Sequence, residues 1–169
     1  ALAGISIGAY TALINGLLRP DRFGSIIILS GAFMRDRVLD AVQSHSPRKR
    51  KYYERFFGDI DTVIGSDKDY VALIDKFRKD PELPKPHFYS ACGLHDNLCQ
   101  NNRDLVKLLK DANFDVTYWE PDIGAHEWPF WNAWIDCALD WYAPGPMQPS
   151  SADVDYTALT QLRPPQENK

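Results

Sequence analysis

Cysteine is scarce in this sequence, which holds three in 169 residues. Cys92, Cys99 and Cys137 form no CxxC pair and are odd in number, so free thiols are expected. Free thiols are typical of a reducing compartment, and we therefore expect a cytoplasmic protein. His87 and Cys92 would lie on opposite faces of a predicted strand, so these two residues and His95 are not expected to form a metal site.

Long apolar runs are also lacking. No stretch approaches the ~20 apolar residues that cross a bilayer, so no membrane span is expected. The formal net charge of −4 disfavours nucleic acid and phospholipid surfaces as partners. Hydrophobic residues at 44% and charged residues at 25% are typical of one globular core. The sequence leaves homo-oligomer formation open.

The most informative pattern lies at residues 4–8, Gly-Ile-Ser-Ile-Gly. It matches G-x-S-x-G, in which a strained strand-to-helix turn lifts a serine hydroxyl clear of a sheet. A short apolar stub precedes Ser6, and a helical pattern over 9–18 ends at Arg19-Pro20. The pattern predicts a nucleophile at Ser6. The alternative is a Gly/Ser-rich helix start without chemistry.

An activated serine needs a histidine base, and the sequence has only four histidines. His126 is the best placed, because it lies on a loop between a predicted strand at 114–119 and a helix opened by Pro129. The alternative is that His126 only caps or packs at the entry to that helix. Trp128, close to His126, is a candidate wall of the substrate pocket.

The base needs a carboxylate to orient it, and in this kind of protein the order along the chain is serine, acid, histidine. Asp96 follows a predicted strand at 87–93, at the edge where catalytic groups of α/β sheets gather. Asp122 competes for the role, but it lies only four residues before His126 on the same loop. The alternative for Asp96 is an Asx-turn or a helix N-cap.

Predicted strands alternate with predicted helices along the chain. Residues 25–30 are apolar on both faces, as a central parallel strand requires. Helices are predicted at 101–112, with a leucine stripe, and after Pro129, where four residues should share one core face: Phe130, Trp134, Ala138 and Trp141. Beyond residue 143 a Pro-, Ser- and Gln-rich composition predicts a disordered tail at 144–169.

Residues 34–86 form a long polar excursion, in which only 70–77 is predicted to be helical. The basic run at 48–51 is expected to be a solvated loop face. The excursion is either a cap over the substrate pocket or a surface subdomain packed only on itself. If it is a cap, the pocket would be lined by Phe33, Tyr52, Tyr53, Phe56 and Phe57.

Four motifs together resemble the esterase D and tributyrin-esterase group of α/β-hydrolases, relatives of S-formylglutathione hydrolase. They are residues 4–10, Phe-Gly-Asp at 57–59, Ala-Cys-Gly-Leu-His-Asp at 91–96 and Gly-Ala-His-Glu-Trp at 124–128. The resemblance runs from Ala1 to about Tyr142. It implies a three-layer α/β/α fold with a mostly parallel sheet, with 1–143 as the carboxyl-terminal part of such a domain.

The resemblance also implies the roles of the site residues. Ser6 would be the nucleophile, His126 the base and Asp96 its orienting acid, with the backbone N–H of Ile7 as one oxyanion donor and no cofactor. The implied activity is a serine carboxylesterase for small acyl esters. A thioesterase such as S-formylglutathione hydrolase is one alternative, and an incomplete, non-catalytic interaction module is another.

The chain departs from the pattern of this group at its start. It begins at the elbow, so we expect either a fragment of a longer reading frame or an incomplete protein, in both cases without the preceding strands; the lack of an initiating Met favours the fragment. The loop that supplies the second oxyanion donor would be missing with them. Losing one such donor typically costs about two to three orders of magnitude in rate.

Overall fold

Four short parallel strands form one sheet in the order of the chain: β1 (Leu2–Ile5), β2 (Ser25–Leu29), β3 (His87–Ala91) and β4 (Val116–Trp119). Ile5 pairs with Leu29 and Leu29 with Ala91, so the strands end together at one edge. The computed structural model describes residues 1–143, and the predicted tail at 144–169 lies outside them. The predicted strands are confirmed, with boundaries that differ by at most two residues.

Six α-helices connect or flank these strands: α1 (Ile7–Leu18), α2 (Arg35–Gln43), α3 (Pro47–Phe57), α4 (Tyr70–Lys79), α5 (Cys99–Asp111) and α6 (Trp128–Tyr142). Successive side chains of a strand point to opposite faces of the sheet. Accordingly Ile26 and Ile28 pack in a core with α1 and α5, whereas Ile27 and Leu29 pack in a second core with α6. The result is the predicted three-layer α/β/α arrangement.

The predicted apolar face of α6 is confirmed. Phe130, Trp134 and Ala138 are buried against β2 and β3, and Trp141 packs beside them. These side chains cover one face of the sheet. They serve as core rather than as a ligand cage.

The prediction for residues 34–86 is wrong in two respects. The segment holds three α-helices and a 3-10 turn at Ile60–Thr62, where the sequence predicted only the helix at 70–77. The basic run at 48–51 lies within α3, which begins at a Ser46 cap followed by Pro47, a helix start that the charged residues obscured.

The segment 34–86 also does not pack only on itself. Val38, Ile60 and Leu73 are buried in the same core cluster as Leu13 of α1. The Tyr10 hydroxyl of α1 donates to the Lys68 carbonyl. The segment is therefore continuous with the core that supports the sheet, and a cap role for it stays a prediction.

Within residues 1–143, no helix is both long enough and apolar enough to cross a membrane.

Candidate active site

Ser6 stands at the corner between β1 and α1 with an uncommon backbone conformation. Its φ is 54° and its ψ is −121°, a region that costs a residue with a side chain on the order of 1–3 kcal/mol. Two hydrogen bonds from the neighbouring strand region hold this turn. The Ser6 N–H donates to the Leu29 carbonyl, and the Ala32 N–H donates to the Ser6 carbonyl, both at 2.9 Å.

The first glycine of the motif allows the helix to pack against the strand. A Cβ atom on Gly4 would lie 2.2 Å from the carbonyl oxygen of Gly8, closer than atoms can approach. A Cβ on Gly8 would meet no atom within 4 Å among the described residues. Close packing therefore requires a glycine at position 4, while the described structure gives no steric reason for Gly8.

The structure brings the three predicted side chains into one hydrogen-bonded row. Ser6 Oγ lies 2.8 Å from His126 Nε2, and His126 Nδ1 lies 2.9 Å from Asp96 Oδ2. An ionised carboxylate only accepts hydrogen bonds, so with Asp96 ionised the ring proton is on Nδ1 and Nε2 is free to accept the serine proton. This is the orientation that a histidine base for Ser6 requires.

Asp96 uses its two carboxylate oxygens for different partners. Oδ2 contacts His126, and Oδ1 accepts the N–H of Leu98 at 2.8 Å, so the Asx-turn weighed as an alternative is also present. The side chain of Asp96 is fully buried, whereas that of His126 is 32% exposed. The competing Asp122 is exposed, and Nδ1 of His126 contacts Asp96 instead.

Backbone contacts between two loops set the positions of Asp96 and His126. The Leu94 N–H donates to the Pro121 carbonyl at 2.9 Å, and the His95 N–H donates to the Gly124 carbonyl at 3.2 Å. The loops approach so closely that a Cβ on Gly93 would lie 2.3 Å from the Gly124 oxygen. Sequence reasoning missed this role of Gly93, although a glycine directly after a buried strand is a signal for it.

Gly124 has a second constraint. Its φ of +93° is a conformation that side chains disfavour, and a Cβ there would lie 2.3 Å from the ring of Phe130. The turn that presents His126 thus depends on the absence of a side chain two residues earlier.

Trp131 of α6 supports the imidazole from the side. Its ring lies edge-on to that of His126, with 4.9 Å between the centroids, and it is buried. Trp128, predicted as a pocket wall, contacts Trp131 at 5.2 Å and is 68% exposed. The sequence indicated Trp128 beside the site, whereas the contact of Trp131 with His126 follows only from the tertiary structure.

A charged cluster lies at the base of the histidine loop. Arg103 of α5 donates to both carboxylate oxygens of Glu120, from Nε at 2.7 Å and from Nη2 at 2.5 Å. The Tyr118 hydroxyl donates to the same carboxylate at 2.8 Å. These bonds, that of Arg103 first, lower the pKa of Glu120 to about 2. The cluster joins the helix after Asp96 to the strand end before His126.

Two of the cysteines lie near this cluster. Burial raises the pKa of the Cys92 thiol well above its usual range and also raises that of Cys99. Such thiols are not activated nucleophiles. Within residues 1–143, no group of three or more histidine, cysteine or acidic side chains is arranged to hold a metal ion.

The predicted pocket aromatics divide into two sets. Phe33 and Phe57 are buried in the core and Tyr53 is partly buried, so a role for these rings in lining a substrate pocket stays a prediction. Tyr52 and Phe56 are exposed on α3. The buried rings pack against two tyrosines of the core. The ring centroids of Phe57 and Tyr10 are 5.8 Å apart, and those of Phe33 and Tyr70 are 5.7 Å apart.

Comparison with known proteins supplies the family. The model of the putative esterase family matches residues 1–142. The acetyl esterase of Caldicellulosiruptor saccharolyticus is 41% identical to this chain over 143 residues, which are 83% of this chain and 53% of that protein.

Two solved structures from Staphylococcus aureus are also similar. The apoenzyme of the S-formylglutathione hydrolase FrmB superposes with a TM-score of 0.64 at 25% identity. The substrate-bound fluorophosphonate-binding serine hydrolase FphF superposes with a TM-score of 0.63 at 26% identity. Each superposition covers 82% of this chain and 52% of the solved chain, so this chain spans about half the length of the relatives it matches.

These comparisons confirm the α/β-hydrolase fold and the predicted resemblance to the esterase D group. The family match extends over nearly all of the described residues, from the serine elbow through the histidine loop to the end of α6. The chain belongs to the putative esterase family.

Proposed function

We propose that the protein is a serine carboxylesterase that cleaves small acyl esters through Ser6, His126 and Asp96. One observation carries the proposal: the continuous hydrogen-bonded row from the serine hydroxyl through the imidazole to a buried carboxylate, at 2.8 and 2.9 Å. The acetyl esterase at 41% identity supports a small acyl group. The strained backbone of Ser6 supports a nucleophile, because such strain is stored at functional sites.

Acylation begins when Ser6 Oγ bonds to the ester carbonyl carbon while His126 Nε2 takes the hydroxyl proton. The negative charge that develops on the carbonyl oxygen faces the N–H of Ile7. This N–H lies at the start of α1 and donates to no acceptor among the described residues. The carbon–oxygen bond of the ester then breaks, and His126 gives its proton to the leaving alcohol.

Deacylation repeats the same transfers with water. His126 takes a proton from water as the water oxygen bonds to the acyl carbon. The bond to Ser6 Oγ breaks, the proton returns to this oxygen, and the carboxylic acid leaves. Asp96 holds the ring orientation throughout and stabilises the imidazolium. No cofactor takes part in these steps.

The test is covalent labelling of the full chain with a fluorophosphonate, together with hydrolysis of 4-nitrophenyl acetate. We expect one label on Ser6, and we expect Ser6→Ala to abolish both labelling and turnover while its circular dichroism spectrum stays unchanged. Ser25→Ala serves as a matched control on β2. Labelling that persists in Ser6→Ala would contradict the assignment of the nucleophile.

A thioesterase is the second candidate, favoured by the structural likeness to an S-formylglutathione hydrolase. It predicts a higher kcat/KM for S-formylglutathione than for 4-nitrophenyl acetate. The opposite order supports the oxygen-ester reaction. A chain that is neither labelled nor active would instead support the non-catalytic interaction module.

A further inference from the structure

Asn102 is a polar side chain with no exposure to solvent, in the first turn of α5. Its amide makes three hydrogen bonds. Oδ1 accepts the N–H of Gly31 at 2.9 Å, and Nδ2 donates to the carbonyls of Gly31 at 3.0 Å and Leu98 at 2.8 Å. One side chain therefore satisfies both backbone polar groups of Gly31 and links two loops that are far apart in the sequence, one at Gly31 and one at Leu98.

Each of these loops leads to the active site. Ala32, next to Gly31, donates its N–H to the Ser6 carbonyl at 2.9 Å. Leu98 donates its N–H to Asp96 Oδ1 at 2.8 Å. Asn102 therefore binds Gly31, whose neighbour Ala32 donates to the Ser6 carbonyl. It also binds Leu98, which donates to the Asp96 carboxylate.

The contacts close a ring. It runs from Ser6 through His126 to Asp96, and then returns by way of Leu98, Asn102 and the 31–32 peptide to Ser6. We propose that Asn102 is a positioning residue that sets the distance between the nucleophile and the acid–base pair. This proposal rests on the proposed esterase function.

Only a carboxamide suits this position. Gly31 presents an N–H and a carbonyl to it, and Leu98 presents a second carbonyl, so the side chain must accept once and donate twice. An aspartate has nearly the same shape, but it would face two carbonyl oxygens without a proton to give. The 31–32 loop would then shift away from α5, and the serine turn would shift with it.

The test uses Asn102→Asp and, as a smaller uncharged variant that keeps one donor, Asn102→Ser. Asn101→Asp is the matched control, since it makes the same change at a partly exposed neighbour. Hydrolysis of 4-nitrophenyl acetate and fluorophosphonate labelling are measured in the full chain, well below each melting temperature. We expect kcat and the labelling rate to fall about 10- to 100-fold, as misplacement by about 1 Å would cause.

KM separates positioning from a loss of binding. We expect it to stay within about twofold of the wild type, because a positioning defect removes stabilisation of the transition state alone. The control should match the wild type in all three measurements. Rates equal to wild type in a folded Asn102 variant would overturn the proposal, and so would a failure of both variants to fold, which would make Asn102 a folding residue only.

Labelling of the wild type and of Ser6→Ala distinguishes failure of the esterase proposal from failure of the role of Asn102. If the wild type is not labelled at Ser6, the esterase proposal fails and the role of Asn102 fails with it. If the wild type is labelled and Asn102→Asp is labelled at the same rate, the role of Asn102 alone is wrong.

Discussion

Glu120 shows how one residue couples charge to the geometry of this site. Glu120 directly follows β4 and precedes the loop that carries His126. Its partner Arg103 lies on α5, the helix that follows Asp96. The bidentate contact with Arg103 fixes both separation and orientation, which a single-point ion pair does not. The Arg103–Glu120 pair therefore connects the helix that follows Asp96 to the end of the strand that precedes the histidine loop.

At this scale we predict that Glu120→Gln lowers the free energy of unfolding at pH 7 by about 1 kcal/mol, a modest value because Arg103 is partly exposed. The pKa of Glu120 falls from 4.5 to about 2 on folding, so its charge stabilises the protein fully above about pH 4.5. This contribution is lost as the pH falls through 2. Urea unfolding of both proteins between pH 7 and pH 2 measures the difference.

The control for this prediction is Asp122→Asn. Asp122 is an exposed carboxylate on the same loop and forms no ion pair among residues 1–143. It should change stability little at either pH. A difference between wild type and Glu120→Gln that is the same at pH 7 and pH 2 would show that the ion pair does not supply it.

At the scale of the element, α3 is the part of the excursion that carries two exposed aromatic side chains. Phe57 at its end packs on Tyr10, one turn after Ser6 along α1. Tyr52 and Phe56 stand exposed on the same helix with 5.4 Å between their ring centroids. An exposed apolar patch of this kind commonly marks a contact surface. If α3 caps the substrate pocket, Tyr52 and Phe56 are therefore the aromatic side chains of α3 that are exposed for contact with a substrate.

We predict that the double variant Tyr52→Ala/Phe56→Ala lowers the ratio of kcat/KM for 4-nitrophenyl butyrate over acetate by about 10-fold, as the loss of apolar contacts to a longer acyl chain requires. Leu139→Ala, an exposed apolar residue on α6 in the opposite layer, should leave the ratio unchanged. An unchanged ratio in the double variant would remove the cap role of α3. A deletion that included α2 would not test the cap role, because Val38 and Ala41 are fully buried and their loss would disrupt the core.

At the scale of the whole molecule, the excursion and the sheet share one hydrophobic core. Leu73 of α4 is buried in the cluster that also holds residues of α1, β2 and α5. All five tryptophans lie between residues 119 and 141, on β4 and α6 or beside them. Tryptophan fluorescence therefore reports on the layer opposite to α4.

We predict that Leu73→Ala lowers the free energy of unfolding by about 2–5 kcal/mol, through lost burial and the cavity left behind. Unfolding followed by circular dichroism and by tryptophan fluorescence should shift together, since one core unfolds as one unit. The same substitution at exposed Leu139 is the control and should cost far less. An earlier transition seen by circular dichroism alone would mean that the 34–86 segment unfolds independently.

Much of this architecture was predictable because it follows from local pattern. The run at 25–30 and the alternation of strands with helices indicated a parallel sheet, and the stripe from Phe130 to Trp141 indicated a helix that covers it. Helix α3 was missed because charged residues dominate it, and helix α2 was missed because it is short and its apolar residues are confined to 38–42. Both helices join the hydrophobic core that contains α1, and no local pattern encodes that packing.

The sequence by itself determined the candidate catalytic residues: a serine between glycines, a histidine and two candidate aspartates in a fixed order. Tertiary structure decided which aspartate meets the histidine, because that choice depends on the meeting of two strand ends and on the missing side chain at Gly93. It also gave Asn102 its role. The sequence shows only an asparagine on a helix and does not show which backbone groups it binds. Hydrogen bonds form only between groups that the fold has brought within reach.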